Sequence, residues 1–369
     1  MKKLEINKQD LKNNLNIIKE ILKKDNPKTK IIGVVKANGM GLDLVQYSSF
    51  LIENEINILA VANLEEALIL RKEKISQEIL MLTPCTEEED LEKLIQNNIT
   101  ITIGNIYEYE LLEKKLNNLE KSNVKIHIKI DTGFGRYGFL YNDIESISKV
   151  FNKNEKIIIT GIFTHFSNPI NEKWTRLQFN RFNEVIENLK NLDLYSDKII
   201  RHCSASTAFL KYPDMRLDGV RLGSIIQGRT LIKKENLKKI GNFKTKIIEI
   251  KSLPKGYNIS YGNTYKTKKE TKIAIIPVGY VDGLNRNKLR DDFSLKNNII
   301  SVLMELKKIF KNNNLKVKID EEYYPIIGRL GMYHSIIDIT NSNNINIGTI
   351  VEIDITPLQT NDIIRREYI

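Results

Sequence analysis

The chain has 369 residues, 41% of them hydrophobic, and a formal net charge of +11. Its length is enough for two domains or for one barrel with an appended module. Its two cysteines, Cys85 and Cys203, exclude a disulfide framework and a cysteine-rich zinc site, and we expect no metal. The basic residues are dispersed, and no apolar stretch suits a membrane helix or a signal peptide, which argues against nucleic acid and membrane as partners. We predict a cytoplasmic protein.

Eight short apolar runs rich in β-branched residues predict eight strands in the first part of the chain. Segments of helical spacing lie between them, such as the apolar stripe from Trp174 to Leu189. A strand and a helix alternating eight times are typical of a (β/α)8 TIM-type barrel, which we predict for residues 1–232. An open doubly wound sheet is the alternative. The predicted strands are 31–37, 58–62, 79–82, 100–103, 124–131, 157–166, 198–204 and 220–226.

From residue 233 the pattern changes to alternating runs separated by turn residues. The runs 271–278 and 324–327 predict strands. One stretch near 294–312 carries apolar residues at helical spacing and predicts an inserted helix. We therefore predict a mainly β C-terminal domain over residues 233–369.

Lys36 is the first candidate for chemistry, because it ends an apolar run that we predict as the first barrel strand. Low dielectric favours the neutral amine of a lysine, which can form a Schiff base with a carbonyl, and this chemistry suggests pyridoxal 5'-phosphate. The alternative is a lysine that reaches from the strand end into water. Polar tracts at the ends of other predicted strands fit a barrel active site. They are 129–133, 164–166, 204–206 and 221–223.

Seven tracts, in one order and at compatible spacing, together resemble the alanine racemase family of pyridoxal phosphate enzymes. Members of that family pair a barrel with a C-terminal β domain, and the resemblance covers nearly the whole chain. The tracts are 35–38, 129–138, 164–166, 220–223, 259–262, 277–283 and 328–332.

By this resemblance Lys36 is the Schiff-base lysine and Tyr261 is the second acid/base. Two groups are needed because inversion removes the α proton from one face of a planar carbon and returns it to the other. Arg221 is implied to face the pyridine nitrogen of the cofactor, and a guanidinium only donates, so that nitrogen stays unprotonated. The alternatives are a tyrosine that packs on a strand and an arginine that pairs with a carboxylate.

The resemblance also implies groups around this pair. His165, together with Arg221, is implied to favour the phenolate of Tyr261, although His165 could equally be a core histidine. Arg136 lies in a Gly-rich turn and is implied to bind the substrate carboxylate or the phenolic oxygen of the cofactor. Lys129 matches a lysine that some members carbamylate to hold that arginine.

Further contacts concern the phosphate and the substrate. The hydroxyl of Ser206 and the backbone N–H groups near Gly223 and Ser224 are implied to hold the phosphate. An N-cap role is the alternative for Ser206. Met332 is implied to border the substrate.

The sequence departs from the family pattern at several positions. Met40 stands where the family usually has a phosphate-binding tyrosine, Ala205 where asparagine is usual, and Tyr333 where aspartate is common. A second tyrosine near the C-terminus is missing, and Tyr368 is a doubtful substitute. These departures make the choice of amino acid less certain.

The resemblance implies a homodimeric racemase that interconverts L- and D-alanine for D-alanine biosynthesis, with Tyr261 donated across the interface. A racemase of serine, ornithine or lysine is the nearest alternative. A non-catalytic pyridoxal phosphate carrier fits less well, because such proteins lack the β domain. A barrel decarboxylase also fits less well, because Cys203 lies on a predicted strand and the β domain has no cysteine.

Overall fold

The computed structural model describes residues 1–118, 123–151, 154–285, 294–310, 315–342 and 344–369. The described residues form two compact units. The barrel unit comprises residues 8–240, and the β unit combines residues 1–7 with residues 241–369. Among the described residues, no helix is both long enough and apolar enough to cross a membrane.

The chain begins with strand β1 (Lys3–Ile6), which belongs to the β unit. The strands of the barrel unit are β2 (Lys30–Val34), β3 (Ile58–Val61), β4 (Glu78–Met81), β5 (Ile99–Ile103), β6 (Val124–Asp131), β7 (Phe139–Leu140), β8 (Ile157–Phe163), β9 (Ile200–Ala205) and β10 (Gly219–Leu222). Its helices are α1 (Lys8–Asp25), α2 (Lys36–Met40), α3 (Leu44–Glu53), α4 (Leu64–Lys72), α5 (Glu88–Gln96), α6 (Ile106–Asn117), α7 (Ile144–Phe151), α8 (Glu172–Asn191) and α9 (Ser206–Lys211).

Within the described residues, eight strands close a parallel sheet. The order is β2-β3-β4-β5-β6-β8-β9-β10, and β10 pairs again with β2. The short strand β7 pairs with the end of β6. Strands buried on both faces consist of continuous β-branched runs, which is why the sequence showed them as apolar runs. The barrel prediction is confirmed, and the doubly wound alternative is wrong.

Several strands end earlier than their apolar runs. The run 31–37 gives a strand that ends at Val34, and the run 220–226 gives one that ends at Leu222. The residues that follow stay apolar because they are buried in loops, as Val35 and Ile225 are. Likewise β8 ends at Phe163, two residues before His165.

The helices cover the barrel with amphipathic faces. In α8 the stripe residues Phe182, Val185, Ile186 and Leu189 are buried, as its spacing predicts, whereas Leu177 is exposed. Asn171 caps this helix by accepting a hydrogen bond from the backbone N–H of Trp174.

The β unit contains a long mixed sheet, a two-stranded sheet and one α-helix among its described residues. The elements after β10 are β11 (Asn242–Lys246), β12 (Glu249–Leu253), β13 (Asn258–Ile259), β14 (Tyr265–Lys266), β15 (Thr271–Ile276), α10 (Leu295–Phe310), β16 (Lys316–Ile319), β17 (Glu322–Ile327), β18 (Ser335–Asp338), β19 (Ile350–Ile353) and β20 (Arg365–Tyr368). The order of the long sheet is β12-β15-β18-β17-β16-β19-β11-β1-β20, and β13 pairs with β14. Helix α10 falls in the interval 294–312, whose last two positions lie outside the described residues.

The two units are bounded differently from the predicted ranges 1–232 and 233–369. Strand β1 pairs antiparallel with β11 and parallel with β20, so residues 1–7 belong to the β unit. Alternation fixes its register, because Leu4 and Ile6 are buried while Lys3 pairs with Glu367 at 2.8 Å. The barrel unit continues to residue 240 rather than 232. A four-residue strand gives no sequence signal for partners more than 230 residues away.

Candidate functional site

A cavity of about 390 Å³ opens where the barrel strands end. It lies wholly within the barrel unit. Eight of the residues singled out in the sequence line it together: Lys36, Lys129, Arg136, His165, Ser206, Arg221, Gly223 and Ser224. The barrel therefore collects residues that are up to 188 positions apart in the sequence into one site.

Lys36 enters the cavity from an unusual turn. It lies two residues after β2, and all five residues 37–41 have positive φ. Left-handed backbone is costly for most L-residues, and Asn tolerates it best after Gly. Asn38 also stabilises the turn, because its Oδ1 accepts from the N–H of Leu44 at 2.9 Å and its own N–H donates to Glu66 at 3.3 Å.

The cavity controls the charge of Lys36. Its walls desolvate the ammonium group and lower the pKa of Lys36. The positive charges of Arg136 and Arg221 lower that pKa further, whereas Glu66 opposes them. The neutral amine of Lys36 is therefore more accessible than that of a lysine in water.

Arg221 is the most constrained side chain of the cavity. Its Nη1 donates to the carbonyl oxygen of His202 at 2.8 Å, and its Nη2 donates to the carbonyl oxygen of Thr164 at 2.7 Å. Nη1 and Nη2 also contact the Nδ1 atoms of His202 and His165, at 2.7 and 3.1 Å. Burial lowers the pKa of Arg221 to about 10, so it stays charged. No carboxylate pairs with it among the described residues, contrary to the ion-pair alternative.

His165 accepts from Arg221, so its proton lies on Nε2. Its ring packs against Phe134, with centroids 5.6 Å apart. Burial and then Arg221 hold the pKa of His165 well below its usual range. A neutral ring is the consequence at physiological pH.

The Gly-rich turn that carries Arg136 is organised by Asp131. The carboxylate of Asp131 accepts four backbone N–H groups, from residues 133–136. These bonds lower the pKa of Asp131 against the opposing effect of burial. The guanidinium of Arg136 lies 4.5 Å from the ring centre of Phe134 and 4.6 Å from that of Tyr137.

Lys129 is 3% exposed and makes one long hydrogen bond, from Nζ to the carbonyl oxygen of Ile130 at 3.4 Å. Its Nζ also lies 4.9 Å from the centre of the Phe163 ring. Burial, and then Arg221, hold the pKa of Lys129 well below its usual range. The cavity wall thus favours the neutral amine of Lys129 more than water does.

Ser206 begins α9, and Ala205 occupies the cap position. The hydroxyl of Ser206 therefore does not cap the helix and instead accepts the N–H of Ile225 at 3.2 Å. Gly223 and Ser224 line the same cavity. A Cβ at Gly223 would lie 3.2 Å from the terminal methyl of Met40, so this corner is closely packed.

Tyr261 and Met332 lie elsewhere, in the β unit. They line a second pocket of about 290 Å³ with Ser260, Tyr333 and their neighbours. Tyr261 is 69% exposed, and its hydroxyl has no hydrogen-bond partner among the described residues. Within one chain, the structure thus places the predicted site residues in two separate pockets, one in each unit.

The residues that depart from the family pattern lie at different places in the structure. Met40 and Ala205 line the barrel cavity, and Tyr333 lines the β-unit pocket. Tyr368 ends β20, beside β1, and lines neither pocket.

Sequence reasoning missed His202 as a functional side chain. It is fully buried beneath Arg221, and the Phe163 ring stacks on it at 4.7 Å. Strand alternation could have found it, because His202 shares a face with Ser204, two residues along β9. The same rule places His127 on the face of β6 that carries Lys129.

Comparisons with known proteins agree with this geometry. Residues 6–230 match the family model of the alanine racemase N-terminal domain, and residues 240–363 match that of the C-terminal domain. The chain is 36% identical over 358 residues to an alanine racemase of Methanococcus maripaludis, covering 95% of this chain and 87% of that protein. It is 35% identical over 355 residues to one of Clostridium tetani, covering 93% and 83%.

Solved structures of alanine racemases are also similar to this chain. The alanine racemase of Clostridium difficile 630 superposes with a TM-score of 0.86 at 29% identity, covering all of this chain and 95% of that chain. The alanine racemase of Bacillus anthracis with bound L-Ala-P gives a TM-score of 0.78 at 26% identity, covering 95% and 85%.

Proposed function

Because the chain belongs to the alanine racemase family, we propose that it interconverts L- and D-alanine with pyridoxal 5'-phosphate as its cofactor. The observation that carries the proposal is Lys36, an amine of lowered pKa that faces a cavity lined by other cations. When bound, this cofactor supplies the electron sink that acidifies the α C–H bond of an amino acid.

The residues present fit such a group. The cavity, about 390 Å³, lies within the range of cofactor sites. Its two guanidinium groups, Arg136 and Arg221, have little anionic compensation, because no carboxylate pairs with either of them among the described residues. An anionic cofactor supplies that compensation. Ser206 is suited to the phosphate through its hydroxyl, and Gly223 and Ser224 through their backbone N–H groups.

Two residues exchange the α proton in this proposal. Lys36 attaches the cofactor through Nζ and, as a free amine, takes or returns the proton on one face of the α carbon. Tyr261 does the same on the other face. Met332 borders the substrate.

Arg136 and Lys129 form a supporting pair in this proposal. Arg136 binds the substrate carboxylate or the phenolic oxygen of the cofactor. No carboxylate pairs with Arg136 among the described residues. The neutral amine of Lys129 can add carbon dioxide and release one proton, and the resulting carbamate supplies an anionic partner.

The proposed assembly is a homodimer in which Tyr261 of one copy serves the Lys36 cavity of the other. Two observations support it: Tyr261 is 69% exposed and Met332 is 49% exposed. A proton-transfer group works best when another surface covers it and excludes water. The cytoplasmic location stays a prediction from the sequence.

Exchange of the α proton in heavy water tests the substrate. The purified protein is supplied with the cofactor and incubated separately with L-alanine, L-serine, L-ornithine and L-lysine, and deuterium at the α carbon is followed by NMR. We expect alanine to exchange fastest. Exchange of another amino acid without alanine would refute the substrate and favour the alternative racemases, for which Tyr333 in the β-unit pocket is the structural reason.

A further inference from the structure

A series of buried polar side chains crosses the barrel interior from the cavity toward the amino ends of the strands. Arg221 Nη1 lies 2.7 Å from His202 Nδ1, and His202 Nε2 lies 2.9 Å from His127 Nδ1. His127 Nε2 then faces Glu78 Oε1 at 4.0 Å. Glu78 is the first residue of β4, so it marks the amino end of the barrel. We call these four residues the interior chain.

Arg221 favours one position of the proton on each ring of the interior chain, because a guanidinium can only donate. Next to Arg221, His202 accepts at Nδ1 and carries its proton on Nε2. That proton requires His127 to accept at Nδ1, so the proton of His127 lies on Nε2 and points at Glu78. Burial and then Arg221 lower the pKa of both rings, that of His127 to about 3, so both rings are neutral.

The surrounding strands are shaped to fit these rings. A Cβ at Gly161, opposite His127 in β8, would lie 2.5 Å from the His127 ring, so a glycine is required there. The pairing of β6 with β8 shifts register just before His127, and such irregularities redirect a side chain. The ring of Phe163 stacks on His202 at an interplanar angle of 7°.

The far end of the interior chain holds two unsatisfied atoms. His127 Nε2 and Glu78 Oε1 are both buried and have no hydrogen-bond partner among the described residues. They are 4.0 Å apart, which is longer than a hydrogen bond, and each is the unsatisfied polar atom that faces the other. The other oxygen of Glu78 pairs with Lys125 Nζ at 3.1 Å.

We propose that Glu78 is a positioning residue for Arg221 and acts through His127 and His202. Its carboxylate accepts the terminal proton and fixes both rings as Nε2–H tautomers, so that an acceptor always faces Arg221 Nη1. Arg221 has no ion-pair partner among the described residues, and two polarised rings connect its positive charge to this carboxylate. The effect of Arg221 on the cofactor rests on the proposed function, whereas the assignment of the histidine tautomers does not.

Long-range ¹H–¹⁵N NMR of ¹⁵N-histidine-labelled protein tests the tautomers. The chain has four histidines, and exposed His334 is an internal reference. In the wild type we expect both interior rings to be neutral with the proton on Nε2. Glu78→Gln keeps an acceptor and retains this pattern. Glu78→Leu lowers the ratio of Nε2–H to Nδ1–H forms of His127 by about 10-fold or more, since a hydrogen bond to a charged group is lost.

Lys125→Met is the matched control, because it removes the ion pair of Glu78 but leaves the carboxylate, and it should retain the wild-type pattern. A protonated ring or an Nδ1–H tautomer in the wild type would overturn the proposal, as would a Glu78→Leu spectrum identical to that of the wild type. If Glu78→Leu does not fold, the wild-type and Glu78→Gln spectra still decide whether both rings are neutral Nε2–H tautomers.

Kinetics test the effect on Arg221. Glu78→Leu should lower kcat for alanine about 10-fold with KM unchanged, and Glu78→Gln should restore most of it. An unchanged kcat would refute the positioning role even if the tautomers are as assigned. A wild-type protein without alanine exchange would refute the proposed function and leave the NMR result valid.

Discussion

The Lys36 cavity and the Tyr261 pocket carry the two groups proposed to exchange the same proton, yet their surroundings differ. Lys36 faces a cavity whose walls and cations lower its pKa. Tyr261 is 69% exposed, and no described residue hydrogen-bonds its hydroxyl. The barrel unit therefore lowers the pKa of the lysine by itself, whereas the role proposed for the tyrosine requires a second surface over it.

Removing the amine of Lys36 tests the role proposed for the lysine. Lys36→Ala loses both the attachment point and one base, and we expect racemisation to fall by about 10⁴-fold or more. The absorbance of the bound cofactor and the rate of alanine racemisation measure the loss. Lys30→Ala, an exposed lysine at the start of the same strand, is the control and should leave both unchanged. Substantial racemisation by Lys36→Ala would contradict the assignment.

Removing the phenol tests the tyrosine side. Tyr261→Phe keeps the ring but cannot transfer a proton, so exchange should fall by about 10²- to 10⁴-fold from one alanine enantiomer only. Deuterium uptake from L- and D-alanine, measured separately, distinguishes the two directions. Tyr257→Phe, another exposed tyrosine of the β unit, should behave as the wild type. Rates that stay at the wild-type value in both directions for Tyr261→Phe would remove the residue from the mechanism.

A smaller effect concerns Lys129, the second lysine that lines the Lys36 cavity. It measures the free-energy cost of burying an amine there. Since burial lowers the pKa of Lys129 in the folded chain, the unfolded chain binds more protons than the folded chain between the two pKa values of this lysine. The free energy of unfolding therefore rises with pH until lysine loses its proton in the unfolded chain as well. Lys129→Met removes this slope.

At pH 7, in buffer free of carbon dioxide, we expect Lys129→Met to be more stable than the wild type by about 1–3 kcal/mol. The advantage should shrink toward pH 10. Urea unfolding at several pH values measures it, with Lys28→Met at an exposed position as the control. Parallel stability curves for Lys129→Met and the wild type would show that Lys129 is charged in the folded chain.

Sequence periodicity predicted the barrel because strands buried on both faces must be apolar throughout, as in the run 58–62. The predicted strand ends also identified most of the candidate residues of the cavity, because strand ends meet in a barrel. Left-handed backbone at residues 37–41 gave no such signal, since only Gly39 and Gly41 hint at it. The sequence also gave no distance between Tyr261 and Lys36, because they lie in different units.

The N-terminal strand has a consequence for synthesis. Strand β1 is translated before the barrel, whereas its partners β11 and β20 are translated after it. Domains fold as units while the chain emerges, so the barrel can form while residues 1–7 remain without their sheet. The pairing of Lys3 with Arg365 closes a very long loop, and we expect it to be a slow, late step of maturation.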